Sequence, residues 1–434
     1  MTQAATGMKN AVLADGGRIP FLRSGTAYKN LNAYDLARMV ISGLISRNAI
    51  APASLDRVIL GNVIQEIKTS NVARDAALGA GIPDHVPAYT VTMACISSNM
   101  AISNAADLIR TGQAQAILAG GTETMSDLPI RYNKRFRQKL LEARKYKKPT
   151  DYLKFFKGLR FRDLLPELPA IAEFSTGETM GQSCDRLAAH FDISRDEQDR
   201  YALRSHQKAA EAAGQGKLDR ELLPATVPPG HEVFSRDNGV REDSSLEQLG
   251  KLKPAFVKPH GTLTAGNSTF LSDGASATLI LEEEYAASLN ITPKAYIRDY
   301  LFVAQDPGEQ LLLGPAYATP KLLDRAGLSL DDMDVFEFHE AFAGQILAVL
   351  KALKSETFAG QHLKRDKAVG EVPMDKFNLW GGSLSLGHPF GATGARLVTT
   401  AANRLHAENG KYALVAACAA GGQGYAMLLE NYTA

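Results

Sequence analysis

The chain has 434 residues, 45% hydrophobic and 22% charged, which excludes disorder as its main state and suggests about three units at ~150 residues each. Lysine and arginine total 48 against 47 aspartate and glutamate, a formal charge of +1. A globally basic nucleic-acid binder has a different balance, so no nucleic-acid partner is expected.

Met1–Asn10 carries neither an apolar nor a basic leader region. Leu31, Tyr34, Leu36, Met39, Val40 and Leu44 recur at helical spacing, and Asn32 is placed to cap that helix. Val58–Ile64 reads as a buried strand. Ala73–Gly79 reads as a short helix stopped by Gly81 and Pro83. Tyr89–Thr92 alternates like a strand and leads into Cys95. Ser97–Arg110 reads as a small-residue helix, and Ala116–Ala119 as a strand closed by Gly120-Gly121. This alternation predicts α/β layers.

The texture then changes over 131–267, which holds several prolines and a charged helix from Arg195 to Ala213. Strand texture returns at Ala277–Glu282. The last part repeats the alternation: strand Val335–Phe338, helix Ala343–Leu353, helix Thr393–Leu405, and strands Tyr412–Ala417 and Tyr425–Glu430. Cys95 and Cys418 each sit beside a strand end, which hints at an internal duplication. Tyr412–Leu429 is too interrupted by polar and small residues for a membrane span.

The near-zero charge hides an asymmetry. Residues 131–162 hold thirteen basic and two acidic residues, Glu142 and Asp151. Within them Tyr152, Phe155, Phe156 and Leu159 recur at helical spacing beside Lys154, Lys157, Arg160 and Arg162. A basic amphipathic helix there suits an anionic membrane surface or an acidic partner face. The plainer alternative is a solvated helix with a few basic residues that meet phosphates.

The three cysteines, Cys95, Cys184 and Cys418, lie far apart without C-x-x-C. They form no disulfide framework, and a reducing compartment fits them. No sequence-local zinc motif is present, so no metal is expected. Cys95, in V-T-M-A-C-I-S-S-N-M, ends a strand and opens a helix, where the helix dipole favours a thiolate nucleophile. His388, in the glycine-rich N-L-W-G-G-S-L-S-L-G-H-P-F-G-A-T-G, is placed to take a proton near pH 7. Cys418 follows an apolar strand in V-A-A-C-A-A-G-G-Q-G-Y, a turn able to offer N–H groups to an oxyanion. His339 and Glu340 stand at a strand-to-helix junction in F-E-F-H-E-A-F. Taken singly these residues read equally as a buried small hydrophobe, a loop histidine, and capping or surface pairing.

Taken in order, the four segments resemble the signature loops of the thiolase family. The resemblance continues through S-R-D-E-Q-D-R-Y-A-L-R-S-H-Q-K-A, L-K-P-A-F and L-T-A-G-N-S-T-F-L-S-D-G-A-S-A. The family's usual N-E-A-F is H-E-A-F here. With the basic insert and E-F-S-T-G-E-T-M-G, this is similar to the beta-subunit branch of fatty-acid trifunctional enzymes.

The resemblance implies a thiolase fold of two similar βαβαβαββ halves in five layers, with an inserted loop domain. The halves would be 1–130, completed by 268–290, and 291–434, with the insert at 131–267. It implies cleavage of medium- and long-chain 3-ketoacyl-CoA, with CoA a substrate and no cofactor. Cys95 would be the nucleophile, His388 its base and Cys418 the acid that protonates the departing acetyl-CoA enolate. One oxyanion hole would pair His388 with His339, directly or through a water. The other would use the backbone N–H groups of Cys95 and Ala420, where relatives commonly have glycine. Met180, Phe256, Ala265, Thr269 and Phe342 would line the pantetheine channel, and Cys184 would be a bystander. A homodimer or dimer of dimers, an alpha-subunit partner and peripheral membrane contact through 131–165 are implied as well. A bacterial cytoplasm is expected, or a mitochondrion if a transit peptide was trimmed. A short-chain condensing thiolase and a non-catalytic lipid-binding scaffold are the alternatives.

Overall fold

The computed structural model describes residues 8–167, 169 and 172–433. Residues 1–7, the start of the stretch read above for a leader, lie outside them. Nine strands form one path: β1 (Ala11–Arg18), β2 (Arg57–Gly61), β3 (Ala88–Val91), β4 (Ala116–Glu123), β5 (Ser272–Glu282), β6 (Ala295–Ala304), β7 (Val335–Phe338), β8 (Tyr412–Ala419) and β9 (Gln423–Asn431). Their order is β7-β8-β9-β6-β1-β5-β4-β2-β3.

The two ends of that path repeat one plan. β3, β2 and β4 are parallel, and β5 and β1 follow antiparallel. In the second half β7 and β8 are parallel, and β9 and β6 follow antiparallel. The counterpart of β3 is reduced to a single parallel bridge, Phe336 to Phe377. The half-sheets join only where β1 meets β6, at Val12–Tyr296 and Leu13–Ala295.

Side-chain alternation along each strand builds the layers. On β1, Leu13 faces the middle of the molecule while Val12 and Ala14 face outward against α1 (Ala33–Asn48) and α2 (Val72–Gly79). On β8, Ala413, Val415 and Ala417 face the middle. Leu414, Ala416 and Cys418 face α8 (Gly314–Ala326) and α9 (Ala343–Lys354). Between the half-sheets lie α3 (Ser97–Arg110) and α10 (Thr393–Glu408), giving the five layers. α10 is buried along Thr393–Leu405, and its alanines, threonines and Gly394 let it fit between two sheets. Asn32 caps α1 as its sequence predicts: it accepts the Asp35 N–H at 3.0 Å while Asp35 accepts the Asn32 N–H at 3.1 Å.

Between β4 and β5 lie α4 (Lys134–Ala143), α5 (Asp151–Phe156), α6 (Met180–His190) and α7 (Arg195–Gly214). The expected basic amphipathic helix is corrected here. α5 ends at Phe156, and Gly158 has φ +74°, so Leu159 is not on its face. Phe155 packs edge-on against Phe136 at 5.7 Å, while Tyr152, Leu153 and Phe156 are exposed.

Gly120-Gly121 does not close a strand; β4 runs through both to Glu123. A Cβ on Gly120 would meet the Ser276 carbonyl, and one on Gly121 would come within 1.9 Å of the Gly391 carbonyl. These glycines permit close backbone approach rather than a turn. The strand expected at 277–282 is longer, Ser272–Glu282. β1, β6 and α8 carry no matching sequence expectation, and α8 contains Pro320. The hinted duplication is present, but the two cysteines are not its equivalent positions. The repeat is in the topology, but the counterpart of the Cys95 loop is the loop bearing His388, and Cys418 corresponds to the end of β4.

Candidate active site

Four loops converge at the strand ends between the halves. Cys95 lies in the turn between β3 and α3, after Ala94 at φ +46°. It is half-buried, and a donor atom each of Cys95, His339 and His388 lie within 4.8 Å of one another. Among the described residues this cluster of three could share a metal ion. The histidine rings stand 4.1 Å apart between centroids, tilted by 44°.

Cys418 is the next-to-last residue of β8 rather than lying beyond it. Burial raises its thiol pKa strongly, and the nearby Cys95 raises it further. Cys184 on α6 is also buried and raised, first by desolvation, then by Asp185 and Cys418. The bystander is thus a neighbour of the site, which its lack of a motif concealed.

Burial also governs Cys95. The Cys95 thiol is pushed up to about 12 by desolvation, against hydrogen bonds from the backbone of Ala420 and of Cys95 itself. The thiolate expected from a helix N-terminus is therefore not the resting form: α3 begins at Ser97, and desolvation outweighs its dipole. His388 is shifted the other way: burial, then the Arg396 charge, lowers it to about 3, so it is neutral at pH 7, the form that can take a proton. His339 is lowered well below the usual histidine range by burial, His388 and Arg396.

Each imidazole is held by a hydroxyl. His388 Nδ1 lies 2.6 Å from Thr393 Oγ1, and its backbone N–H donates to Ser272 Oγ at 3.0 Å. His339 Nδ1 lies 3.0 Å from Ser383 Oγ, and its Nε2 is buried without a partner.

Glu340 is neither a helix cap nor a surface residue. It is fully buried, and its carboxylate accepts from Tyr201 Oη and Ser205 Oγ at 2.8 Å, Asn378 Nδ2 at 2.7 Å and the Leu384 N–H at 3.3 Å. It ties the H-E-A-F loop to the loop of His388. Glu123 does the same from the first half, accepting from Asn62 Nδ2, Ile64 N–H and Gly391 N–H at 3.0 Å and Val63 N–H at 3.1 Å. Neither role has a sequence signal beyond the placement of a carboxylate at a strand end.

Of the residues expected along a pantetheine channel, four gather. Phe256 meets Phe342 edge-on at 5.8 Å, and Met180 packs against the same core. Gly181 has no room for a Cβ against the Phe256 ring, 2.2 Å away. Thr269 donates its N–H to the Ala341 carbonyl at 3.1 Å. Ala265 instead lines a small cavity with Arg23, His206, Arg241, Phe270 and Leu384. No helix among the described residues is long and apolar enough to cross a membrane.

The family model described as "Thiolase, N-terminal domain" matches residues 11–284, and "Thiolase, C-terminal domain" matches residues 291–431. The mitochondrial trifunctional enzyme subunit beta of Rattus norvegicus is 58% identical over 431 residues, covering 99% of this chain and 90% of that one. A 3-ketoacyl-CoA thiolase of Yersinia pestis is 46% identical over 419 residues, covering 96% of each. The structure of human mitochondrial 3-ketoacyl-CoA thiolase in complex with CoA superposes with a TM-score of 0.83 at 33% identity, covering 98% of each chain.

Proposed function

The chain belongs to the thiolase family, and from that premise we propose that it is a 3-ketoacyl-CoA thiolase acting on medium and long acyl chains. Its substrates are 3-ketoacyl-CoA and CoA, and its products are acetyl-CoA and an acyl-CoA shortened by the acetyl unit. The observation that carries the assignment of roles is the half-buried Cys95 sulfur, facing two neutral imidazoles with Cys418 behind it.

Cys95 attacks the 3-keto carbonyl. With its thiol pushed up and His388 pushed down, no thiolate–imidazolium pair is stored in the resting enzyme. The proton passes to His388 as the carbon–sulfur bond forms. The C2–C3 bond then breaks, the acyl group stays on Cys95, and Cys418 gives its proton to the acetyl-CoA enolate. The thiol of a second CoA next gives its proton to the Cys418 thiolate and takes the acyl group, and His388 returns its proton to the released Cys95 sulfur. Negative charge builds on oxygen in both stages. His388 with His339 would meet it on one side, and the N–H groups of Cys95 and Ala420 on the other. The Ala420 backbone, which lowers the Cys95 thiol against the effect of burial, supports the second assignment.

The same reading takes the halves as 1–130 completed by 268–290, and 291–434, with 131–267 inserted. Phe256, Phe342, Met180 and Thr269 are its channel residues, and an alpha subunit is its partner. CoA serves as substrate, without a separate cofactor. Relatives come from mitochondria and from a bacterium, so either compartment suits the reading. Thiolysis rates on short-chain and long-chain 3-ketoacyl-CoA, with and without an alpha subunit, test it. Faster turnover of the short-chain substrate would replace the long-chain assignment, and no turnover of either would reject the enzyme.

A further inference from the structure

Two chemically similar imidazoles face one sulfur, yet the roles proposed above require opposite hydrogen arrangements: a bare nitrogen on one and an N–H on the other. We propose that Thr393 and an Arg396–Ser383 pair act as positioning residues that hold His388 and His339 in opposite tautomers. His388 then presents an unprotonated Nε2 to Cys95, and His339 presents an Nε2–H to the developing oxyanion. The inference rests on the thiolase reading only for what the two nitrogens are used for.

The argument is one of donor and acceptor inventory. Thr393 Oγ1 lies 2.9 Å from the Pro389 carbonyl oxygen. A carbonyl only accepts, and this one also takes the N–H groups of Ala392 and Thr393 at 3.0 Å, so the Thr393 contact is a hydrogen bond when the hydroxyl hydrogen points there. In that arrangement His388 Nδ1, 2.6 Å from the same Oγ1, donates. Its hydrogen is on Nδ1, and Nε2 is bare.

Ser383 meets the reverse situation. Its Oγ lies 2.9 Å from Nη2 of Arg396. A guanidinium only donates, so Oγ accepts there. Its own hydrogen then goes to its one remaining neighbour, His339 Nδ1, at 3.0 Å. His339 must carry its hydrogen on Nε2, the atom that is buried without a partner. This nitrogen is the orphan donor that an incoming oxygen would satisfy.

The arrangement also accounts for an expensive feature. Arg396 is fully buried, and its Nε and Nη1 lack hydrogen bonds. Its carboxylate partner, Glu337, stands 3.8 Å away. A buried charge so poorly satisfied is costly to the fold. Its hydrogen bond to Ser383 is what fixes the His339 tautomer, and its charge discourages protonation of both rings.

The test is nitrogen NMR on the full-length enzyme labelled with ¹⁵N-histidine, with His339→Asn and His388→Asn identifying the two sets of signals. The expected spectrum shows His339 with a pyridine-like Nδ1 and a pyrrole-like Nε2, and His388 with the reverse. The same tautomer on both rings, or a mixture on either, overturns the proposal. Ser383→Ala is expected to turn the His339 signals into a mixture and lower kcat about 100-fold with KM for CoA unchanged, the loss typical of one oxyanion donor. Ser383→Thr is expected to restore both. A Ser383→Ala enzyme that loses rate while its His339 signals stay fixed overturns the relay. Opposite tautomers in a wild-type protein without thiolysis would reject the thiolase reading and leave this inference standing.

Discussion

Glu123, at the end of β4, accepts the N–H of Gly391 at 3.0 Å, so a carboxylate from the first half of the chain fastens the loop that carries His388 in the second. Beside this bond the backbones of Gly121 and Gly391 touch without room for a side chain. The carboxylate oxygens accept four hydrogen bonds there.

Glu123→Gln keeps the shape but turns one acceptor into a donor that faces N–H groups. Two donors lose their partner, which costs about 1–3 kcal/mol. A lower denaturation midpoint and a lower kcat are expected. An unchanged midpoint would refute the clamp.

Cys95 with a thiol near 12 and His388 near 3 cannot store an ion pair at neutral pH. Alkylation of Cys95 by iodoacetamide should therefore keep accelerating through pH 8 to about 10, as the thiolate fraction grows. A rate that levels off near pH 6–7, measured by intact mass, would reveal a thiolate–imidazolium pair instead.

His339→Ala removes the proposed oxyanion donor while leaving Cys95 and His388. A fall in kcat of about 10²–10³ is expected, with acyl-enzyme still formed. His339→Asn restores a donor and should recover part of the rate. Equal rates for the two variants would show that His339 does not meet the oxyanion.

The insert offers an open basic cleft lined by Asn133, Lys134, Arg135, Gln138, Arg160, Arg162 and Asp163. Lys154 and Arg160 are paired with Asp151 and Asp163, whereas Lys134 and Arg162 have no carboxylate within salt-bridge distance among the described residues. Lys134→Glu with Arg162→Glu should therefore weaken binding to vesicles rich in anionic lipid or to an alpha subunit, with thiolysis of soluble substrates kept. Unchanged binding in both assays would remove the docking role.

The helices α1 and α3 are legible in the sequence because their apolar residues follow a helical period, and Asn32 announces its cap. The loops of His388 and Cys418 are legible because a histidine and a cysteine stand among glycines, and those of Cys95 and His339 because each residue stands where a strand gives way to a helix. What escaped has physical reasons. β6 mixes exposed and buried residues without clean alternation, and Pro320 inside α8 reads as a break. Gly120-Gly121 looks like a turn because the sequence does not show that Ser276 and Gly391 press against it. Burial is also invisible in a string of residues. The dipole at Cys95 could be anticipated, but not that desolvation would outweigh it. Glu340 looked like a surface residue for the same reason.

The middle layer has a consequence for how the chain comes to be folded. Ile102, Ala105 and Ile109 of α3 pack into the core they share with α10, and α10 is made only at residues 393–408. A ribosome thus delivers Cys95 and four strands of the first half-sheet well before their inner side has its cover. For most of its synthesis the nascent chain carries an open apolar face. Release before α10 emerges leaves a fragment of the kind that chaperones retain and that otherwise aggregates.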